Sequence, residues 1–420
     1  LGRIYLYKED NLNVAKDYLI KCTELLNGKE LHYKFILTAI YARIYLYEIW
    51  EKLQQLENCY SLLDKALELY LSYTKEEDYP DPFNIDIFLP NKGNSKINLI
   101  NSHILTLDYM KKLYCLQPTN MHKFVIYVHN LLNKQLKTIK DSTENHIFLC
   151  WAEASAELSI YFLYSNRFME AKIHIAAAEY MTVMYRISLI TDLDAKSEEK
   201  MYNYHLVYMF INQLWAMYGI MLLRSSKERL LQHKSNKSCE VNNTESECHL
   251  KLEKEIMKPL TFVDLEKDLK RIIKYHITDI YVSDLDDIKI IFGNVLKWLD
   301  EVFMHFKETN QFIPQVQIIL CMSKAYKYYV YFVGSKSKQI KVIEVQTKML
   351  KKYINTLSSE YNALPEYHYL KKLNFELAIT YSTLLNIMFE ELHEIEEITD
   401  EMRMKMKQLV TNVIHEFNLF

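Results

Sequence analysis

Residues 46–66 read LYEIWEKLQQLENCYSLLDKA, and residues 158–178 read LSIYFLYSNRFMEAKIHIAAA. Laid on one another without a gap, Leu46, Tyr47, Trp50, Cys59, Leu63 and Ala66 fall on Leu158, Ser159, Phe162, Ala171, Ile175 and Ala178. The first three positions put a bulky pair and an aromatic on one helix. The last three put small and apolar residues at helical spacing on the next, so the two helices can approach closely. A helix pair of this kind, repeated along a chain, is the tetratricopeptide pattern.

Weaker copies lie on either side. Leu1, Gly2 and Tyr5 precede Ala15, Leu19 and Cys22 if one residue is inserted in the turn, and another copy runs from Met110 to Leu131. There Phe124 replaces the small residue, which predicts an altered packing geometry. The chain opens at Leu1, already inside a helical pattern, so part of the first repeat is expected upstream. The apolar stripe Met402, Met406, Leu409, Val413, Phe417 and Phe420 calls for a partner within the chain or outside it.

Composition agrees with helices. The 420 residues are 50% apolar and include only 6 Gly and 7 Pro, too few for the turns that sheets require. A formal net charge of −3 supplies no global field toward nucleic acid or anionic membranes. Seven scattered cysteines without a C-x-x-C pair read as reduced thiols of a cytoplasmic protein. The sequons at Asn236 and Asn242 are expected to be unused. Residues 206–223 are uncharged and nearly long enough to span a membrane, but Asn212 and Gln213 at their centre favour a buried inner helix.

Two segments interrupt the helical pattern. Residues 73–98 hold Pro80, Pro82, Pro90 and Gly93 with Glu76, Glu77, Asp78, Asp81 and Asp86, and read as an acidic loop inserted between repeats. Residues 224–260 are polar and read as a linker. The expected organisation is therefore an all-α, right-handed tetratricopeptide-like α-solenoid in two halves, 1–223 and 261–420. In the second half a helix is expected from Val263 to Tyr281, a capping box at Ser283-x-x-Asp286 starts the next, and blocks follow over 315–333, 342–357 and 367–392 without a clear repeat motif.

Signatures of catalysis are absent from the sequence. There is no G-x-G-x-x-G, no phosphate-binding loop and no H-E-x-x-H, and Cys239 with Cys248 and His249 falls short of a four-ligand zinc site. A binding protein without cofactors, rather than an enzyme, is the expectation. Clustered tyrosines such as Tyr326, Tyr328, Tyr329 and Tyr331 are expected between helices with their hydroxyls toward water.

The helix LENCYSLLDKALELYLSY from Leu56, the acidic segment ending Ile87-Phe88-Leu89-Pro90, Asn133-Lys134-Gln135-Leu136, Trp151, and Arg167-Phe168-Met169-Glu170-Ala171 together resemble the KIF-binding (kinesin-binding) protein family. Phe262-Val263-Asp264-Leu265-Glu266 and the helix from Asp286 to Phe306 continue the match more loosely. The resemblance implies a cytoplasmic, cytoskeleton-associated monomer whose first half grips kinesin motor domains and keeps them off microtubules. It places Tyr109 and Gln135 in the groove, and puts charged Lys112 and Glu157 where the family is polar and neutral. For Tyr109 and Gln135 ordinary helix-surface packing is an equal alternative. The five acids of the loop are expected to steer a basic motor surface. The alternative function is a peptide-binding adaptor or co-chaperone, although the Leu46 and Leu158 units lack the Lys and Asn of a carboxylate clamp.

Overall fold

The computed structural model describes residues 2–7, 11–75, 78–83, 95–139, 146–191, 197–236, 259–273, 278–360, 364–392 and 399–419. Among them are fifteen α-helices and no strand. The helices are α1 Gly2–Tyr7, α2 Leu12–Leu26, α3 Ile36–Lys52, α4 Leu56–Tyr73, α5 Ser95–Leu116, α6 His122–Ile139, α7 His146–Tyr164, α8 Phe168–Thr191, α9 Ser197–Asn236, α10 Glu266–Ile273, α11 Leu285–Glu308, α12 Phe312–Phe332, α13 Lys336–Glu360, α14 Leu364–Leu392 and α15 Asp400–Leu419. The chain divides into two compact units, 1–131 and 132–420.

In the first unit α3 is central. It packs on α1, α2, α4 and α5, which explains why it is apolar almost all round rather than along one stripe. Ile36, Ile40 and Ile44 are buried in one cluster with Ala66 and Leu69 of α4 and Leu99 of α5. Ala42, Leu46 and Ile49 are buried in a second cluster with Leu6, Ala15 and Leu19 of α1 and α2. The small residues do what their spacing predicts. Cys59 and Ala66 are fully buried at the α3–α4 contact, and a Cβ built on Gly2 would lie 2.6 Å from Leu19 Cγ. Phe124, in place of a small residue, is buried against the Tyr114 ring with centroids 5.8 Å apart.

The turn between paired helices is itself repeated. Gln54, Asn166 and Asn310 have φ of 58°, 54° and 53°, the left-handed region. In each turn the next residue's amide donates back to an aromatic residue's carbonyl: Gln55 to Trp50 at 2.9 Å, Arg167 to Phe162 at 2.8 Å, and Gln311 to Phe306 at 2.8 Å. The left-handed residue donates to the following carbonyl, of Glu51, Leu163 or Lys307. This is the Schellman arrangement, which satisfies the last carbonyls of the first helix.

The turn at Asn310 exposes a copy of the repeat absent from the sequence reading. Val302, Phe303, Phe306, Gln315, Ile319 and Met322 occupy the six positions at the offsets of Leu46 and Leu158. All but Phe306 are buried. Gln315 stands where a small residue is expected, and its Nε2 donates to the Phe306 carbonyl at 3.2 Å.

The second unit is organised by α9, which packs on α7, α8, α11 and α12. Residues 224–236, read as linker, are the last turns of this helix. Ser225 Oγ donates to Asn166 Oδ1 at 3.0 Å, and Ser226 Oγ accepts from the Val282 amide at 3.1 Å. The helix expected from Val263 to Tyr281 is shorter. It is one 3-10 turn and α10, after which residues 278–284 run irregularly. The Thr278 carbonyl is held by the Tyr218 hydroxyl at 2.8 Å. Asp284, one residue beyond the expected cap, caps α11 by accepting from the Asp286 and Asp287 amides. Upstream of α10, Phe262 is buried between Trp151 and His174, with ring centroids 5.0 and 4.8 Å away.

Among the described residues two helices, over Ile147–Tyr164 and Glu198–Gln232, are long and apolar enough to cross a membrane by length and composition. In the fold Asn212, at the centre of the second, is buried and donates to Glu301 Oε2 at 3.0 Å. Trp215 stacks on Trp298 of α11 at 5.8 Å. The C-terminal apolar stripe finds a partner in α14: Leu409 is buried, and Phe417 meets Phe375 edge-on at 5.9 Å. Tyr326 is buried and Tyr329 stacks on Phe292 at 4.3 Å, the interhelical role expected of that cluster, but the Tyr331 hydroxyl is buried instead of facing water. Among the described residues no group of three or more His, Cys, Asp or Glu is arranged to hold a metal. Cys239, Cys248 and His249 lie outside them.

Because a left-handed backbone costs a β-branched residue most, Gln54→Val should lower the unfolding free energy by about 1–2 kcal/mol. Gln54→Gly should leave it unchanged or higher; chemical denaturation followed by circular dichroism distinguishes the two. A second expectation concerns acid. His103 lies flat on Tyr70 with centroids 3.8 Å apart and its Nε2 is 2.9 Å from the Tyr127 hydroxyl. Burial lowers the His103 and His129 pKa values from 6.5 to about 4. The folded state therefore favours neutral imidazole. This contribution is complete above pH 6.5 and is lost as pH falls through about 4. Denaturation midpoints measured across that window should fall, and His103→Phe should flatten the slope.

Candidate functional site

On α3 the buried residues leave one stripe facing out, Tyr41, Tyr45 and Glu48, at i, i+4 and i+7. The neighbouring helices α1 and α5 complete a surface around it. The Tyr109 hydroxyl of α5 donates to Glu48 Oε1 at 2.7 Å, and the Tyr7 hydroxyl of α1 donates to Glu48 Oε2. One carboxylate thus ties three successive odd-numbered helices together. Aromatic contacts extend the surface: Tyr7 meets Tyr45 edge-on at 5.9 Å, Tyr45 stacks on Tyr41 at 5.9 Å, and Tyr109 stacks on buried Tyr47 at 4.5 Å. Cations border it, with Arg3 over the Tyr45 ring at 5.8 Å and Lys112 over the Tyr109 ring at 5.0 Å.

Along α5 the surface opens into a shallow depression of about 570 Å³ lined by Leu105, Asp108, Tyr109, Lys111, Lys112 and Cys115. Its lining mixes Leu105, Tyr109 and Cys115 with the charged side chains of Asp108, Lys111 and Lys112. Burial, reinforced by the Glu48 hydrogen bonds, raises the pKa of Tyr7 and of Tyr109 well above the ordinary phenol value. Both phenols stay protonated, and both protons are committed to Glu48. A partner would therefore meet the edge and face of the Tyr109 ring.

The residues expected to form a groove are distributed over both units. Tyr109 and Lys112 share the α5 face in the first. Gln135, exposed on α6, and Glu157, half-exposed on α7, belong to the second and sit on separate helices. Tyr7, Tyr41, Tyr45 and Glu48 were missed by sequence reasoning. Their signal is a polar stripe at i, i+4, i+7 on an otherwise apolar helix.

Only part of the acidic segment is described. Glu76, Glu77 and Asp86 lie outside the described residues. Asp78 is exposed, and Asp81 pairs with Lys96 at 3.0 Å. The segment is attached at two points: the Tyr73 hydroxyl donates to the Pro80 carbonyl at 2.6 Å, and the Phe83 amide donates to the Tyr33 carbonyl at 2.8 Å. Residues 95–98, assigned to the loop, form the first turn of α5.

Replacing Glu48 by Gln keeps the shape but removes the negative acceptor. The phenol of Tyr109 in Glu48→Gln should then titrate at a lower pH than in the unaltered protein, read by NMR of ring-labelled tyrosine. An unshifted titration would mean that burial alone sets its value.

A family model described as KIF-1 binding protein C terminal matches residues 149–420. The chain is similar to the KIF-binding protein of Gallus gallus, 23% identical over 432 residues covering 98% of this chain and 69% of that protein. It is 23% identical to the Drosophila melanogaster protein of the same name, over 85% of this chain and 58% of the relative. Identity to the Bos taurus protein is 20%, over 98% and 66%. The chain thus spans about two thirds of the length of these curated relatives.

Proposed function

This chain belongs to the KIF-binding protein family, and from that premise we propose that it binds kinesin motor domains through the tyrosine-lined face of α1, α3 and α5. The observation that carries the proposal is the coincidence of Tyr109, the groove residue implied by the family resemblance, with a preorganised surface. Its hydroxyl is fixed by Glu48 at 2.7 Å and its ring is flanked by Lys112. A face held rigid before binding loses little side-chain entropy when a partner helix is laid on it.

The fold is read as a right-handed tetratricopeptide-like solenoid. In support, in three runs a helix packs on its successor and on the next but one: α1, α2 and α3; α3, α4 and α5; and α7, α8 and α9. Gln135 and Glu157 are assigned as additional partner contacts from the second unit. On this reading the protein is a cytoplasmic, cytoskeleton-associated monomer without a cofactor or catalytic role. It contacts neither nucleic acid nor membrane, and it inhibits motors by covering the surface they present to microtubules. The acids of the 73–98 segment steer encounter, with Asp81 contributing less because Lys96 partly neutralises it.

A peptide-binding adaptor is the second reading. It would need cationic and amide side chains along the inner helices, where α3 instead presents Tyr41, Tyr45 and Glu48.

Tyr109→Ala combined with Gln135→Ala should weaken binding of a purified kinesin motor domain by about tenfold or more while leaving the helical signal unchanged. Retained affinity would overturn the assigned face. Co-sedimentation with microtubules tests the mode: an inhibitor moves the motor from pellet to supernatant, whereas an adaptor leaves it bound.

A further inference from the structure

Helix α13 carries an unbalanced row of charge. Lys338, Lys341, Val345, Lys348 and Lys352 follow one another at spacings of three, four, three and four residues. They share one face, about 21 Å long at a rise of ~1.5 Å per residue. All five are exposed, Val345 at 51%. The opposite face holds Ile340, Ile343, Gln346, Thr347, Leu350 and Leu357 in the core, so the orientation of the row is fixed by packing.

Several other lysines of the second unit find carboxylates. Lys336 of the same helix pairs with Glu390, Lys327 with Glu376, and Lys172 with Asp279. Glu344, the acid nearest the row on α13, is taken by Lys405 of α15. Among the described residues none of the four lysines in the row has a carboxylate within 4.0 Å. Lysines three and four positions apart repel one another and weaken their own helix. A local cost without internal compensation is the kind of departure that marks a functional surface.

The composition of the row selects the ligand. Four point charges without an arginine lack the planar fork that favours phosphate groups. A single apolar side chain at the centre is too little for insertion into a lipid interface, which takes several bulky residues. Val345 between two pairs of lysines matches a polypeptide carrying an apolar side chain between carboxylates. We propose that this ridge is a docking strip for an acidic protein segment that presents carboxylates at three- and four-residue spacing on either side of one apolar residue. The proposal is independent of the motor-binding face and stands if that face is disproved.

The test uses the full chain and a fluorescein-labelled peptide with glutamates at the complementary spacing and a central leucine, read by fluorescence anisotropy. Binding is expected at about 50 mM salt and should weaken at about 300 mM. Lys341→Glu with Lys348→Glu should reduce affinity about tenfold or more, and the milder Lys341→Gln with Lys348→Gln should act in the same direction. Val345→Ser should reduce it about threefold. Charge reversal of exposed Lys134 and Lys137 on α6 should leave it within about twofold. Equal binding by the ridge variants overturns the proposal, as does an equal loss in the α6 variant. Tighter binding of single-stranded DNA or phosphatidylserine vesicles than of the peptide also overturns it.

Discussion

The reversal between paired helices is the constraint on which the rest depends. After Trp50, Phe162 and Phe306 the chain must end one helix and begin the next within a few residues, and a single left-handed residue achieves this. The hydrogen bonds of that turn fix the spacing between the last aromatic of the first helix and the first inward residue of the second. Once the spacing is fixed, so is the register in which Cys59, Ala171 or Gln315 meets the facing helix. Burial of Leu63, Ile175 and Ile319, each worth ~1.5–3 kcal/mol, then rewards that register.

Much of this was legible from residues alone, because Cys59 with Ala66 and Ala171 with Ala178 are small where two helices close. The copy at 302–322 was hidden by chemistry. Gln315 and Met322 stand at the small positions, so the pattern disappears although the backbone is the same. The amide of Gln315 bonds to the Phe306 carbonyl, and a long polar side chain is thereby buried at a position that is small in the Leu46 and Leu158 units. Asn310 was the surviving signal, since asparagine tolerates the left-handed region that most residues avoid. The end of α9 was hidden for another reason. Averaged over a window, residues 224–260 are polar, yet Ser225 and Ser226 are buried with their hydroxyls bonded to Asn166 and Val282. Composition cannot distinguish a satisfied buried serine from a solvated one.

The candidate face shows the same limit in sharper form. Tyr109 came from family resemblance, whereas nothing in the sequence singles out Glu48. Its importance lies in geometry: two phenols from α1 and α5 converge on its two oxygens. Sequence spacing places Tyr41, Tyr45 and Glu48 on one side of α3. The partners across the gap are supplied by tertiary packing, and no local pattern encodes them.

Phe262 and Ser226 have a consequence for how this family can vary. The first is locked between Trp151 and His174, and the second holds the backbone of Val282 against α9. The chain before 237 and the chain after 258 are therefore both anchored to one packed body. Loop-closure entropy changes by only ~0.6 kcal/mol when a connection doubles in length. A change in the number of residues between Asn236 and Pro259 therefore leaves both anchors in place, and members of the family can differ in length there without repacking these helices.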